Sequence, residues 1–358
     1  MKFLDLFAGI GGFRLGMEMA GHECVGHIEK DKFARMSYSA IHGTDYRKDW
    51  EWHDIKKLSN KSIRKLRRRR GKVDVICGGF PCQAFSIAGK RGGFADTRGT
   101  LFFEIARIAS ILKPRYLFLE NVTGLLNHDN GNTFETILRT LDEVGYDAEW
   151  DCINSKDHEV PQNRERVFII GHLRGECTRK VFPIRGTYTT ISISKAGNIR
   201  KNKTSQSGNV FHTNGLSPTL CSEELIREPL KIVEPVLTPD RLKKGQNGRR
   251  FKGPDEPMFT LTAQDRHGVA IVQKARGFNE GGIHQIAPTL TENSWEQNNH
   301  LLDGIRIRKL TPKECWRLQG FPDWAFEKAD AVNSDSQLYK QAGNSVTVNV
   351  IYEIAKRL

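Results

Sequence analysis

The order of apolar runs along this 358-residue chain predicts a doubly wound, mostly parallel α/β sheet with a smaller β-rich unit carried in the second half. Short apolar runs alternate with helix-patterned stretches through the first third, a rhythm that βαβ units produce. From Gly175 the character changes: Gly, Asn, Ser and Thr become common, helical periodicity fades, and short β-like runs stand between turn signals. After residue 304 helix-forming sequence returns. The expected organisation is therefore a first domain over 1–174, a second over 175–303, and a segment 304–358 that rejoins the first.

Taken in order, FLDLF is the first strand, FRLGMEMAG a helix, ECVGHIE a second strand and the stretch from Asp31 a second helix. The run VDVIC at 73–77 reads as a strand, TLFFEIARIASILK as a helix by its apolar spacing, and YLFLE as a strand ending at Glu120. A helix around TFETILRTLDEVG and a strand RVFIIGHL complete the first domain. In the second, KIVEPVL and VAIVQKA read as strands. The pieces SPTLCSE, MFTLTAQ and APTLTEN are either related β-turns or a chance likeness. Near the end, TPKECWRLQGFP and VTVNVIYEIAKRL read as helices, the former with Thr311 as N-cap, Pro312 in the first turn and Glu314 three residues past the cap.

Composition narrows the class. A net charge of +13 and a pI near 9.4 suit a protein that neutralises phosphates, although membranes and acidic proteins attract the same charge. The run RKLRRRR at 64–70 either touches phosphate or forms a solvated face. No apolar run approaches the ~18 residues of a membrane span, so no membrane is expected. Seven cysteines without a CxxC or CxxH pair suggest neither a disulfide framework nor a zinc site, and point to a reducing cytoplasm.

Four short pieces carry chemistry. DLFAGIGG at 5–12 joins a strand to a helix through glycines, a turn that lets backbone N–H groups approach a ligand or that serves structure alone. Glu29 ends the next strand at the distance of a ribose partner, and the missing third glycine disfavours a nicotinamide cofactor. GGFPCQAFS at 78–86 follows VDVIC and puts Cys82 on a loop at the carboxyl edge of the sheet, where open α/β folds bind ligands and a thiol can be made anionic. Glu120 and the pair Arg164 and Arg166 reach the same edge from the ends of further parallel strands, bringing a carboxyl and two guanidiniums beside a candidate nucleophile.

These blocks in this order resemble the motif series of the cytosine-C5 DNA methyltransferase family, of the bacterial or phage modification type. DLFAGIGG is similar to the cofactor turn, FPCQAFS to the nucleophile loop, ENV to the cytosine-binding carboxyl and QNRERVF to the arginine pair. RKLTPKECWRLQGFP and QAGNSVTVNV are similar to the late helix and the segment returning to the cofactor. The likeness covers roughly 1–173 and 304–358. It implies a sheet of the S-adenosylmethionine methyltransferase type, S-adenosyl-L-methionine as cofactor, and a target-recognition domain over 175–303.

The resemblance further implies that Cys82 adds to C6 of a flipped cytosine, that Glu120 holds N3 and the exocyclic amine, that Arg166 holds the O2 edge, and that Arg164 supports the loop or a phosphate. Around the cofactor it places Phe7, Gly9, Ile10, Gly12, Glu29, Asp54, Ile55, Pro81, Leu101, Asn344 and Val346. Where the family often has an aromatic ring after the ribose acid, this chain has Lys30. Residues 83–99 are similar to the family's mobile loop, with Lys90, Arg91 and Arg98 for phosphates, while Gln264, Arg266, Asn293 and Gln297 are candidates for base contacts. Double-stranded DNA is the expected partner of a monomer, with a restriction endonuclease acting separately. A transfer-RNA methylating relative and an inactive DNA-binding relative are the competing readings, the former disfavoured by the long middle segment.

Overall fold

The computed structural model describes residues 1–44, 50–81, 101–184, 186 and 310–358 with their side chains, and the backbone of seven strands between 195 and 309. The first strands are β1 (Lys2–Leu6), β2 (Glu23–Ile28), β3 (Glu51–Trp52), β4 (Val75–Gly79) and β5 (Tyr116–Val122). With β6 (Tyr146–Asn154) and β7 (Glu165–Leu173) they form one sheet of order β3-β2-β1-β4-β5-β7-β6. The chain order reverses about β1, whose neighbours are β2 and β4, which opens a crevice at the carboxyl ends of those strands.

Strand alternation explains why both faces are covered. In β5, Leu117 and Leu119 enter one apolar cluster and Tyr116 and Phe118 the other. The first cluster takes Ile63 and Leu66 of α3 (Asn60–Arg70), Phe102, Ile105 and Ile108 of α4 (Leu101–Leu112), and Ile137 and Leu141 of α5 (Asn132–Glu143). The second takes Phe13 and Met17 of α1 (Gly12–Met19) and Val350, Ile351 and Ile354 of α9 (Val348–Ala355). A further helix, α2 (Lys32–His42), starts at Asp31, whose carboxylate accepts from the N–H groups of Phe33 and Ala34.

The expected strands and helices of this region are present, with one correction. Arg164 and Arg166 do not come from the end of a parallel strand. β7 runs antiparallel to β5, with Arg166 opposite Val122 and Phe168 opposite Glu120. That reversal still delivers Arg166 to the carboxyl edge, because it lies at the start of β7 rather than at its end.

The chain folds into two compact units: Met1–Thr190 and Pro312–Leu358 belong to one, and Ile191–Leu216 and Arg227–Thr311 to the other. In the second unit β14 (Ile305–Lys309) pairs antiparallel with β10 (Lys231–Pro235), in a sheet of order β14-β10-β9-β8 with β9 (Asn209–Phe211) and β8 (Lys195–Asn198). The sheet β12-β11-β13 joins β12 (Gly282–His284), β11 (Val269–Gln273) and β13 (Asn299–Asp303). The chain returns to the first unit at Pro312, after 305–309 have paired with β10 in the second. There α6 (Pro312–Leu318), α7 (Asp323–Asp330) and α8 (Asp335–Asn344) precede α9. Among the described residues, no helix is long and apolar enough to cross a membrane.

Candidate active site

At the end of β1 the backbone turns through left-handed conformations at Phe7 (φ 54°), Gly9 (φ 55°) and Gly11 (φ 88°) before α1 begins at Gly12. Such φ values suit glycine and strain phenylalanine, so Phe7 is held there by its surroundings. Part of the restraint is Glu29, just past β2. Its Oε2 accepts from the Gly9 N–H at 2.8 Å and its Oε1 from the Asp31 N–H at 2.6 Å. The glycine turn is thus tied to the next strand by a carboxylate that retains lone pairs for hydroxyl donors.

Asp54 caps the short turn Ile55–Lys57 by accepting from the Lys56 N–H at 3.1 Å, and its other oxygen lies 3.5 Å from the Lys30 ammonium. Buried Ile55 supplies an apolar surface beside it. On the opposite side, Gly12 lets the segment after α8 come close: a Cβ there would sit 2.9 Å from Ser345 Oγ and from Val346 Cγ2. That segment is built from the inside. Gln319 donates to the Ala342 carbonyl at 2.9 Å and accepts from the Thr347 hydroxyl at 3.0 Å, while its own carbonyl receives the Val348 N–H at 2.9 Å. Buried Arg164 donates to the Ser345 carbonyl at 2.8 Å.

Glu120, on β5, is buried, and its Oε1 lies 3.2 Å from Arg166 Nε. Burial raises its pKa above the ordinary carboxylate value, with Arg164 and Arg166 opposing the shift. Gly79 makes room for this carboxylate, since a Cβ at that position would stand 2.9 Å from Glu120 Oε2. Next to it, Asn121 donates to the Phe80 carbonyl at 2.8 Å and fixes the chain just before Pro81.

One cavity of about 610 Å³ gathers these groups. It is lined by all eleven residues expected around the cofactor, namely Phe7, Gly9, Ile10, Gly12, Glu29, Asp54, Ile55, Pro81, Leu101, Asn344 and Val346, and by Glu120, Arg164 and Arg166. Cys82, Lys90, Arg91, Arg98, Gln264, Arg266, Asn293 and Gln297 lie outside the described residues. Sequence reasoning missed Gly79, Asn121, Lys340 and Gln341, which also line the cavity. For Gly79 and Asn121 the signal was present, a small residue and a polar one at the ends of otherwise apolar strands. Lys340, paired with Asp31 at 2.7 Å, and Gln341, which accepts from the Ser37 hydroxyl at 2.9 Å, left no local signal because their partners are some 300 residues away.

The cavity thus sits at the switch point of an open α/β sheet, with Glu29 and the buried Glu120 both in its lining. The model of the C-5 cytosine-specific DNA methylase family matches residues 1–358, and the chain belongs to that family. It is 32% identical to the orphan methyltransferase M.SPRI of Bacillus phage SPR, over 100% of this chain and 97% of the relative. It is 36% identical to the type II methyltransferase M.HhaI of Haemophilus parahaemolyticus, over 99% and 93%, and 37% to M.HpaII of Haemophilus parainfluenzae, over 99% and 88%. Among solved structures the fold is similar to a Spodoptera frugiperda DNMT2 mutant, with a TM-score of 0.58 at 18% identity over 98% and 97% of the two chains. The S. pombe Dnmt2 methyltransferase gives the same TM-score and identity over 99% and 97%.

Proposed function

We propose that this chain is a sequence-specific DNA (cytosine-5-)-methyltransferase that uses S-adenosyl-L-methionine and acts as a monomer on double-stranded DNA in the cytoplasm. The observation that carries the reading is the convergence of the glycine turn, Glu29, Asp54, Glu120 and Arg166 on one cavity in a chain of this family. The donor set fits the cofactor: a carboxylate already anchored by two N–H groups can accept a ribose diol, Asp54 and Ile55 offer a polar edge and an apolar face for adenine, and Gly9 has open space around it. Bound there, the cofactor supplies a methyl group carried on a positively charged sulfur.

The remaining chemistry belongs to the chain. Cytosine C5 is a poor nucleophile, so Cys82 thiolate adds to C6, forming an S–C6 bond and moving the C5=C6 electron pair onto C5. A methyl donor held by Glu29, Asp54 and Ile55 would supply an electrophilic methyl group to this electron-rich C5. A base removes the C5 proton, the double bond reforms and Cys82 leaves. Burial raises the Glu120 pKa and so favours proton donation toward N3 over that of an ordinary carboxylate, and a hydrogen bond there stabilises the charge that develops on addition. Arg166 orients Glu120 and has further N–H groups for O2, while Arg164 holds the 343–345 segment against the cavity.

In this reading the unit of Met1–Thr190 and Pro312–Leu358 carries catalysis and the unit of Ile191–Leu216 and Arg227–Thr311 reads the target sequence, with Gln264, Arg266 and Asn293 at base edges. Lys90, Arg91 and Arg98 meet phosphates while the target base is flipped out. A cognate endonuclease acts separately.

The deciding experiment is methyl transfer from labelled S-adenosyl-L-methionine to a mixed-sequence duplex, followed by bisulfite sequencing. Label at C5 of cytosine within one short motif is expected. Label on transfer RNA and not on DNA would overturn the DNA reading, and label on neither would leave a binding protein. Cys82→Ala should abolish turnover while DNA binding survives, and retained methylation would remove Cys82 from its role.

A further inference from the structure

Helix α3 carries Lys61, Arg64, Lys65 and Arg67 to Arg70 within eleven residues and no acid, so it accounts for +7 of the chain's net +13. Folding needs little of this. Only Ile63 and Leu66 are buried, and Ser59 caps the start by accepting from the Ser62 N–H. Cations in the last turn suit the helix dipole, but Lys61, Arg64, Lys65 and Arg68 stand three and four residues apart, where like charges repel. Other cations of the same unit are paired with acids, as Arg107 is with Glu104, Arg139 with Glu135, and Lys72 with Glu176. The exposed side chains of Lys61, Arg64, Lys65, Arg67, Arg68 and Arg69 make no ion pair among the described residues.

Four of these, Lys61, Arg64, Arg67 and Arg68, line one groove together with Ile111 of α4. None of them lines the candidate active-site cavity. The helix also leads away from that cavity: Lys2, at the start of β1, donates from Nζ to the Arg70 carbonyl at 2.9 Å, so α3 ends at the amino edge of the sheet, opposite the carboxyl edge where the cavity opens.

We propose that the exposed face of α3 is a second DNA-binding surface, which holds the phosphate backbone of duplex DNA outside the catalytic cavity. The charge is one-signed, without an ion pair among the described residues, and spread along roughly 16 Å of helix, the length of about five base-pair steps. That matches the regularly spaced phosphates of a duplex better than a single small anion. The proposal rests on the reading that the chain acts on DNA. It makes α3 a sequence-independent hold that keeps the protein on DNA between target sites.

The test uses the full chain and a duplex of alternating A·T pairs, which contains no cytosine and so reads binding apart from methyl transfer. In the triple variant Lys61→Gln, Arg64→Gln, Arg68→Gln, the slope of log affinity against log salt is expected to become shallower by about 2 to 3, near 0.9 for each lost phosphate contact. Arg64→Lys with Arg68→Lys should keep the slope, because a point charge suffices for phosphate. Single-turnover methylation of a saturating short target duplex should be unchanged in both variants, and a defect there would mean that α3 serves the catalytic encounter and overturn the proposal. An unchanged salt slope in the triple variant would overturn it as well. So would lost affinity for transfer RNA or for anionic-lipid vesicles with duplex binding intact, and either result would assign the face to that other partner. Failure of methyl transfer in the unaltered chain would refute the proposed function and leave the duplex-binding result standing.

Discussion

Lys30 puts an ammonium, 78% exposed at its side chain and 3.5 Å from Asp54, where members of the family often have an aromatic ring. A tryptophan there adds a stacking surface for adenine at the loss of one solvent-screened ion pair, and stacking is worth about 0.5–1.5 kcal/mol against at most about 1 for such a pair. Lys30→Trp should therefore tighten S-adenosyl-L-methionine binding by up to about tenfold in a calorimetric titration. Equal or weaker binding would mean that position 30 does not face the base. Beneath the glycine turn, Asp5 is fully buried, and burial raises its pKa well above the ordinary 3.8, with Arg14 opposing. Neither oxygen makes a hydrogen bond of good geometry, and the Tyr38 hydroxyl acts on it by proximity. A raised folded-state pKa means that the folded chain binds a proton the unfolded chain releases. Stability is thus lost as pH climbs from about 3.8 to the raised value, by about 1.4 kcal/mol per pH unit, and the penalty is constant above it. Asp5→Asn removes that dependence, so its stability relative to the parent should grow with pH across this window. A pH-independent difference between the two proteins would show that Asp5 ionises normally. The glycines and the acid of this region were legible in the sequence as turn chemistry, whereas the burial of Asp5 was not, because a single Asp at a strand end gives no local sign of what will cover it.

Between elements, one close approach that sequence could not announce is α1 against α9. A Cβ at Gly16 would lie 2.7 Å from Ile351 Cβ and 2.9 Å from the Val348 carbonyl, so the two helices meet at the glycine's backbone. Gly16→Ala raises helix propensity by about 1 kcal/mol, yet it forces atoms apart in a packed core at a cost of about 1–3 kcal/mol. The denaturation midpoint should accordingly fall, and a rise would mean that α9 can shift outward freely. Elements with a one-period apolar pattern, such as β1, β4, β5 and α4, were readable because their burial is on faces that the pattern names. β6 was not: its sequence YDAEWDCIN alternates exposed and half-buried positions at the edge of the sheet, with Trp150 46% exposed, and so lacks the apolar run of an inner strand. The direction of β7 was equally hidden, since RVFIIGHL is buried on both faces whichever way it runs. α3 was seen as charge before helix, because two buried residues are its whole apolar stripe.

Across the whole molecule, the cavity is made by both the first and the last segments of the chain: Phe7 to Gly12 and Glu29 on one side, Asn344 to Val346 on the other, within a single unit. The sequence motifs that mark the two segments are over 300 residues apart, and their meeting was legible only through resemblance to a family, not from periodicity. That arrangement makes ligand binding a clamp on the fold of the whole unit. A ligand that binds only the folded state at 100 times its Kd adds about 2.7 kcal/mol, which for a unit of this size raises the unfolding midpoint by roughly 5 °C. S-adenosyl-L-methionine at that excess should therefore raise the Tm of the full chain. Glu29→Ala should lose most of the rise, because it removes both the proposed ribose acceptor and the tie to the Gly9 N–H. A rise of equal size in the variant would place the cofactor away from Glu29, and no rise in the parent chain would mean that the cavity does not close on this ligand.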